Sequence, residues 1–194
     1  EALTEGLSRR AAILRQLLPV MIGWMGMGAD PDQGLLSFRR LSDAIGTSHW
    51  FMGMLRDSRL VAKRLSYICS GSRWTSDRLS ETPQAVSWLD DDADLQIRPR
   101  EVLAGEVASL LRRRLLGMRS ENYEQVATEA ISTLLAIRSR EQLRSAMADT
   151  LDGVDPLRGA AALSQVTEVV LDGAIRVAHA VAIAQTQGPQ ALEK

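Results

Sequence analysis

Apolar residues recur at the spacing of an α-helix along almost the whole chain, and sustained strand-like alternation bounded by turn signals is absent. The first predicted helix covers about residues 8–24. Its apolar stripe consists of Leu14, Leu17, Leu18, Met21 and Ile22. Pro19 lies inside this stripe, so the helix is expected to kink or to split in two there. The pattern as a whole predicts an all-α fold.

Residues that favour helix N-caps mark the predicted starts of the second and third helices. Asp30 followed by Pro31 predicts the beginning of a second helix, which ends near Gly46. Thr47 and Ser48 are expected to cap a short third helix. Its apolar residues are Trp50, Phe51, Met54 and Leu55.

Two similar segments, 58–65 and 72–79, follow each other fourteen residues apart. Each begins with a serine that can cap a helix of two or three amphipathic turns, and Gly71 is expected to end the first. Thr82-Pro83 predicts the start of another short helix. Two copies are too few for a solenoid array, so the first half is predicted to be a cluster of short helices.

The character of the sequence changes after the polar segment 90–94 and Pro99. Longer helices, poor in aromatic residues, are predicted beyond this point, and they would pack as a bundle. They cover about residues 100–119, 121–138, 140–151 and 156–186, and Gly159 is a point at which the last could break. The predicted domains are therefore residues 1–95 and 96–194.

Composition supports a globular protein and excludes several classes. Of 194 residues, 45% are hydrophobic and 24% are charged, close to globular averages, and the net charge of -1 gives no general attraction for nucleic acids or anionic membranes. No apolar run approaches the roughly 20 residues that span a bilayer, and no signal peptide is visible, so a cytoplasmic location is expected. A single cysteine, Cys69, excludes an internal disulfide. Because the chain starts with Glu1 rather than Met, we expect it to be a piece of a longer protein.

Residues that could perform chemistry are few. His49 and His179 are the only histidines, and nothing in the sequence places them near each other or near Cys69. A metal site or a cysteine–histidine pair needs ligands that converge. Both histidines are therefore predicted to be structural, with His179 buried or half-buried on an apolar helix.

Three further motifs have structural explanations. Asp90, Asp91, Asp92 and Asp94 contain the Asp-x-Asp spacing of magnesium sites, but that chemistry needs both carboxylates on one face of a strand, and a solvated linker is expected here. Gly71-Ser72 is predicted to be a helix cap. The run Arg112–Arg114 diverges by about 100° per residue around a helix, which predicts a solvated face with local salt bridges. No catalytic, cofactor-binding or metal-binding residue is predicted.

All four tryptophans fall in the first half, together with several methionines. The residues are Trp24, Trp50, Trp74, Trp88, Met21, Met25, Met27, Met52 and Met54. They could form an adaptable partner surface, or they could form the core of the short helices. The core is favoured for most of them, and Met25 and Met27 are expected to be exposed because they lie in a glycine-rich turn.

Several segments resemble a known family. They are SRRAAILRQLLP at 8–19, GLLSFRRLS at 34–42, GTSHW at 46–50, LRDS at 55–58, SGSRW at 70–74 and TPQAV at 82–86. In these segments the chain resembles the middle region of actinobacterial glutamine synthetase adenylyltransferases. Segments 138–152 and 163–178 are similar to the helices that lead into the C-terminal catalytic domain of the same family, and the similarity is looser over 100–137. The resemblance covers most of the chain and is most specific over about residues 8–90.

The resemblance implies a place within a two-site enzyme. Members of this family carry two nucleotidyltransferase domains, joined by a helical regulatory region, which use ATP and magnesium. One domain transfers AMP to a tyrosine of glutamine synthetase and the other removes it by phosphorolysis, under the control of glutamine and a PII signalling protein. Each catalytic domain has a Gly-Ser motif followed by an Asp-x-Asp pair on a sheet. That pattern has no match here, so the resemblance assigns no catalytic residue to this chain.

The resulting hypothesis is a non-catalytic regulatory linker. Residues 1–95 would be its regulatory part, and residues 96–194 would lead into the C-terminal catalytic domain. Its expected partners are the flanking nucleotidyltransferase domains and glutamine synthetase, with PII and glutamine as candidate effectors. One alternative is the ligand-sensing domain of a transcription regulator, for which no basic recognition helix stands out; another is a scaffold that senses nothing.

Overall fold

A computed structural model describes residues 2–46, 48–119, 121–153 and 156–187, with the main chain alone for 2–10, 156 and 187. The structure is 87% helical, and its described residues contain no strand, which confirms the predicted all-α class. Within those residues, no helix is both long enough and apolar enough to cross a membrane. The chain divides into two compact units, one of Glu1–Gln96 with Ala146–Val154 and the other of Ile97–Ser145 with Asp155–Lys194.

The first unit is built around one central helix. Its elements are α1 (Ala2–Met25), α2 (Pro31–Ile45), α3 (His49–Asp57), α4 (Arg59–Gly71), α5 (Arg73–Glu81), a 3-10 helix (Pro83–Asp90) and α6 (Asp92–Leu95). Helix α4 packs against α1, α2, α3, α5 and the 3-10 helix. Its fully buried side chains, Val61, Leu65 and Ile68, recur every three or four residues and so form the centre of the core.

The predicted caps of the first unit are confirmed at three helices. Asp30, Ser58 and Ser72 each accept, on a side-chain oxygen, a hydrogen bond from the backbone N–H three residues later, at 2.9, 3.3 and 3.2 Å. Each bond satisfies a donor that the first helical turn leaves unpaired. Helix α2 ends at Gly46, whose φ of 65° favours glycine.

Two local predictions in the first unit need correction or cannot be judged. The sequence predicts a kink or a split at Pro19; helix α1 runs unbroken through it, so the split is wrong. Met21 and Met25, which follow Pro19 on the same helix, are buried. The free energy gained by this packing exceeds the cost of the backbone hydrogen bond that a proline removes. Thr47 lies outside the described residues. Ser48 precedes α3, but its side chain makes no capping hydrogen bond.

The second unit consists of three long helices, α7 (Arg100–Leu115), most of α8 (Tyr123–Asp152) and α9 (Pro156–Gln187). Its core is formed by Leu103, Val107, Leu111, Ala130, Leu134, Ile137, Val166, Val169, Val170 and Val177. Gly173 lies on the buried side of α9, against side chains of α7 and α8. A Cβ atom there would stand 2.9 Å from Leu134 Cδ2 and 3.1 Å from Val107 Cγ1, so a larger residue would force these side chains to shift.

Helix α8 corrects the predicted boundaries. The two helices expected at 121–138 and 140–151 are one, because no glycine or proline interrupts residues 123–152. Helix α9 is likewise unbroken at Gly159. The last turns of α8 belong to the first unit, where Thr150 lies against Gly71 of α4. The two-part division expected from sequence placed these turns in the second part.

Candidate functional site

A cluster of five charged residues lies inside the second unit. It consists of Arg98, Glu106, Arg140, Glu141 and Arg144, and is called the Glu141 cluster below. The side chain of Glu141 is only 3% exposed; its carboxylate accepts hydrogen bonds from Arg98 at 3.1 Å and Arg140 at 2.8 Å. Arg144 Nε lies 3.3 Å from the same carboxylate. Three arginines thus surround one buried carboxylate.

Glu106 completes the cluster from α7. Both of its carboxylate oxygens accept hydrogen bonds from Arg140, at 3.0 and 2.9 Å, and one also accepts from Arg98 at 2.8 Å. The hydrogen bonds from Arg140 hold the pKa of the Glu106 carboxyl below its ordinary value. The same bonds raise the pKa of Arg140. Because carboxylates and guanidinium groups satisfy one another here, the cluster joins α7, α8 and the segment before α7 into one unit.

Sequence reasoning missed the Glu141 cluster, although a signal was present. Glu141 and Arg144 continue the three-and-four spacing of the buried α8 residues Leu134, Ile137 and Ala148. Charged residues on the apolar face of a helix are rare unless they are paired.

The acidic run at 90–94 is exposed, as expected of a solvated segment, but it forms the end of the 3-10 helix and the start of α6 rather than a linker. Asp90 accepts a hydrogen bond from Ser58 Oγ at 2.8 Å, and Asp92 pairs with Arg64. Asp91 caps α6 through the backbone N–H of Ala93 at 2.9 Å. The run therefore attaches the 3-10 helix and α6 to α4.

The two histidines and Cys69 lie in different surroundings. His49 and His179 are both exposed, so the expectation that His179 is buried or half-buried is wrong. Cys69 is buried, and burial raises the pKa of its thiol to about 12, which leaves it unreactive near neutral pH. In the part of the chain that is described, no three His, Cys, Asp or Glu side chains are placed to hold a metal ion.

The arginine run forms a solvated surface, as predicted. Arg112, Arg113 and Arg114 are exposed. Arg113 donates to the backbone carbonyl of Ser109, and Arg114 pairs with Glu129 at 3.1 Å. Successive side chains point in different directions and present no continuous basic stripe.

The tryptophans do not form the core of the first unit. Trp50 and Trp74 are 41% and 47% exposed, and Trp24 and Trp88 are half-buried. The core contains Met21, Met25, Met52, Phe51, Leu55, Leu65, Ile68 and Leu79, so the predicted burial is confirmed for Met21 and Met52. The prediction of tryptophans in the core is therefore wrong, as is the expected exposure of Met25, whereas Met27 is 66% exposed as expected.

Arginine side chains cover two of the tryptophan rings. The guanidinium carbon of Arg59 lies 5.6 Å from the ring centre of Trp24, and that of Arg78 lies 5.7 Å from that of Trp74. Cation–π contacts of this kind favour half-exposed indoles, whose polar edge stays in water.

An apolar groove runs along the surface between α8 and α9 of the second unit. Its volume is about 280 Å³, and it is lined by Ile131, Leu134, Leu135, Arg138, Thr167, Val170, Leu171 and Ala174. Leu135 and Leu171, on opposite sides, are 50% and 57% exposed. Large apolar side chains that remain this exposed on neighbouring helices mark a surface suited to contact another protein surface.

Comparison with known proteins agrees with the resemblance seen in the sequence. Residues 62–194 match the family of glutamate-ammonia ligase adenylyltransferase. A bifunctional glutamine synthetase adenylyltransferase/adenylyl-removing enzyme of Leifsonia xyli is 45% identical over 181 residues, which are 92% of this chain and 17% of that protein. The enzymes of the same description from Streptomyces coelicolor and Corynebacterium efficiens are 36% and 34% identical over 91% and 97% of the chain.

The chain spans less than a fifth of the length of these relatives. No solved structure matches it. The comparisons give no support to the alternative of a transcription regulator. The chain belongs to the glutamate-ammonia ligase adenylyltransferase family and corresponds to one region of such an enzyme.

Proposed function

We propose that this chain is a non-catalytic regulatory region of a bifunctional enzyme that adenylylates and deadenylylates glutamine synthetase. It relays nitrogen-status signals between the two nucleotidyltransferase sites. Family membership gives the enzyme class. The observation that carries the non-catalytic role is how the candidate residues are used: Ser72 caps a helix, and Asp90 and Asp92 bind Ser58 and Arg64.

In this proposal the acidic run at 90–94 supports the fold rather than a magnesium–ATP complex, because it lies on the 3-10 helix and α6 instead of on one face of a strand. Two carboxylates that hold magnesium must have oxygens free to face the triphosphate. Asp90 and Asp92 already have partners on α4, and Asp91 caps α6. ATP and magnesium therefore belong, in this proposal, to the catalytic domains of the longer polypeptide.

The two parts of the sequence, residues 1–95 and 96–194, have separate roles in this proposal. Residues 1–95, with their half-exposed tryptophans, form the regulatory part, and residues 96–194 lead into the C-terminal catalytic domain. The partners are the flanking nucleotidyltransferase domains and glutamine synthetase, with glutamine and a PII protein as effectors. Long helices joined by a buried ion cluster suit such a relay, because packed helices transmit force as rigid bodies between discrete arrangements.

Catalytic silence is tested directly. The 194-residue chain is incubated with glutamine synthetase, ATP and magnesium, and incorporation of AMP is followed by the mass of the synthetase subunit. The expected result is incorporation equal to that without the chain, with a full-length enzyme as the positive control. Adenylylation above that background would contradict the proposal.

A further inference from the structure

Helix α9 has three faces rather than two. Successive residues rotate by about 100°, so the buried residues Val166, Val169 and Val177 share one side. The charged residues Glu168, Asp172 and Arg176 lie on a second side. The third side, called the charge-free face below, contains Leu163, Thr167, Leu171, Ala174 and Ala178. Ordinary surface helices have only an apolar side and a polar side.

The charge-free face is continuous with the groove on α8. Thr167, Leu171 and Ala174 line that groove, and Leu135 stands opposite. Arg138 is the one charged residue among those described as lining it. On the charged side of α9, Glu168 and Asp172 instead face Arg100, each at 3.5 Å. Charges are thus kept to one side of the helix while large apolar side chains remain exposed on another.

We infer that the charge-free face and the groove are covered by an apolar helix from another part of the same longer polypeptide. The inference rests on the proposed function, in which this chain is one region of a larger enzyme. The relatives are more than five times as long as their match to this chain, so most of such a polypeptide is available to cover this face.

The size of the surface favours a tethered occupant over a second copy. From Leu163 to Ala178 the face is about 23 Å long, and two adjacent helices are about 20 Å wide. The surface is therefore about 450 Å², whereas a stable contact between separate proteins buries about 800 Å² on each partner. A segment of the same chain needs less area, because tethering gives it an effective concentration in the millimolar range.

Thiol labelling tests this inference. Leu171→Cys places a thiol in the centre of the surface, and Gln165→Cys places a matched thiol on another, exposed side of α9. The native Cys69 is buried and contributes little background. Labelling rates are measured by peptide mass spectrometry in the 194-residue chain and in a full-length family enzyme that contains it.

The expected result is a rate at position 171 that is at least about tenfold lower in the full-length protein, as for a surface open less than about a tenth of the time. The rate at position 165 should be equal in both proteins. Equal rates at position 171 would overturn the inference. So would a rate at position 171 that falls in the isolated chain as its concentration rises, because that result would identify a second copy as the occupant.

This outcome is separable from that of the proposed function. Position 171 can be protected in an enzyme that keeps its glutamine response when this region is replaced. That result would support the covered surface and contradict the relay. If replacing this region abolishes the glutamine response but position 171 is not protected, the relay is supported and the covered surface is contradicted.

Discussion

Replacing Glu141 by glutamine is expected to destabilise the second unit by about 3 kcal/mol. Removing one partner of a buried ion pair costs about 3–5 kcal/mol, because the remaining charge stays buried without compensation. Glu141 faces three arginines, and the Arg144 side chain is only 11% exposed. In the variant, Arg98 and Arg140 still have Glu106 as an ion-pair partner, and their side chains are 27% and 32% exposed. The lower end of this range of destabilisation therefore applies.

The assay is urea unfolding followed by far-UV circular dichroism and by tryptophan fluorescence. All four tryptophans belong to the first unit, so fluorescence reports on that unit and circular dichroism on both. The matched control is Glu129→Gln, since the side chain of Glu129 is 51% exposed and pairs with Arg114 at the surface; it should cost less than about 1 kcal/mol. If Glu141→Gln changed stability by no more than this control, the cluster would not stabilise the second unit.

Three further changes test other parts of the structure. Because the pKa of Glu106 is lowered in the folded state, its ionised form stabilises the fold at pH values above its ordinary pKa of 4.5, and this stability is lost as pH falls through the lower, folded pKa. Glu106→Gln should therefore flatten the decline of the urea midpoint between about pH 6 and about pH 3. Ser72→Ala should cost about 1 kcal/mol and Ser72→Gly only a few tenths in fluorescence-detected unfolding, because glycine is itself a tolerated cap; equal costs would exclude capping as the cause. Gly173→Ala should destabilise the protein by about 1 kcal/mol, because its Cβ would clash with the facing helices, whereas Gly105→Ala, whose Cβ meets nothing within 4 Å, should stabilise it by up to about 1 kcal/mol. Melting followed by circular dichroism should therefore show a lower Tm for the first variant and a higher Tm for the second.

Helix starts were the part of the fold that the sequence predicted best. Asp30, Ser58 and Ser72 act through hydrogen bonds to residues three positions away, so their effect is encoded locally. The predicted split at Pro19 and the predicted boundary between helices 121–138 and 140–151 are wrong. Packing of Met21 and Met25 keeps α1 continuous, and α8 contains no glycine or proline that would interrupt it.

Which large residues enter the core could not be read from residue type. Trp50 and Phe51 are neighbours on α3, so only one of them can face inward, and Phe51 is fully buried. Met21 and Met25 have flexible side chains that fill the space beside α4, while indole rings stay at the rim beside arginines. The choice depends on how helices distant in sequence pack together.

The Glu141 cluster shows the same limit. The spacing of Glu141 and Arg144 indicates burial. Arg98, which donates to Glu141, lies 43 residues from it in sequence, and Glu106, which accepts from Arg140, lies 34 residues from Arg140. Local patterns predict which residues face inward, whereas only the folded bundle determines which charges meet there.

The relay role is tested most directly in a full-length enzyme of this family. The region corresponding to this chain is replaced by an unrelated rigid helical spacer, and adenylylation of glutamine synthetase is measured with and without glutamine. We predict that both catalytic activities remain and that their response to glutamine is lost. A response equal to that of the unaltered enzyme would contradict the proposed relay and would leave this region as a scaffold.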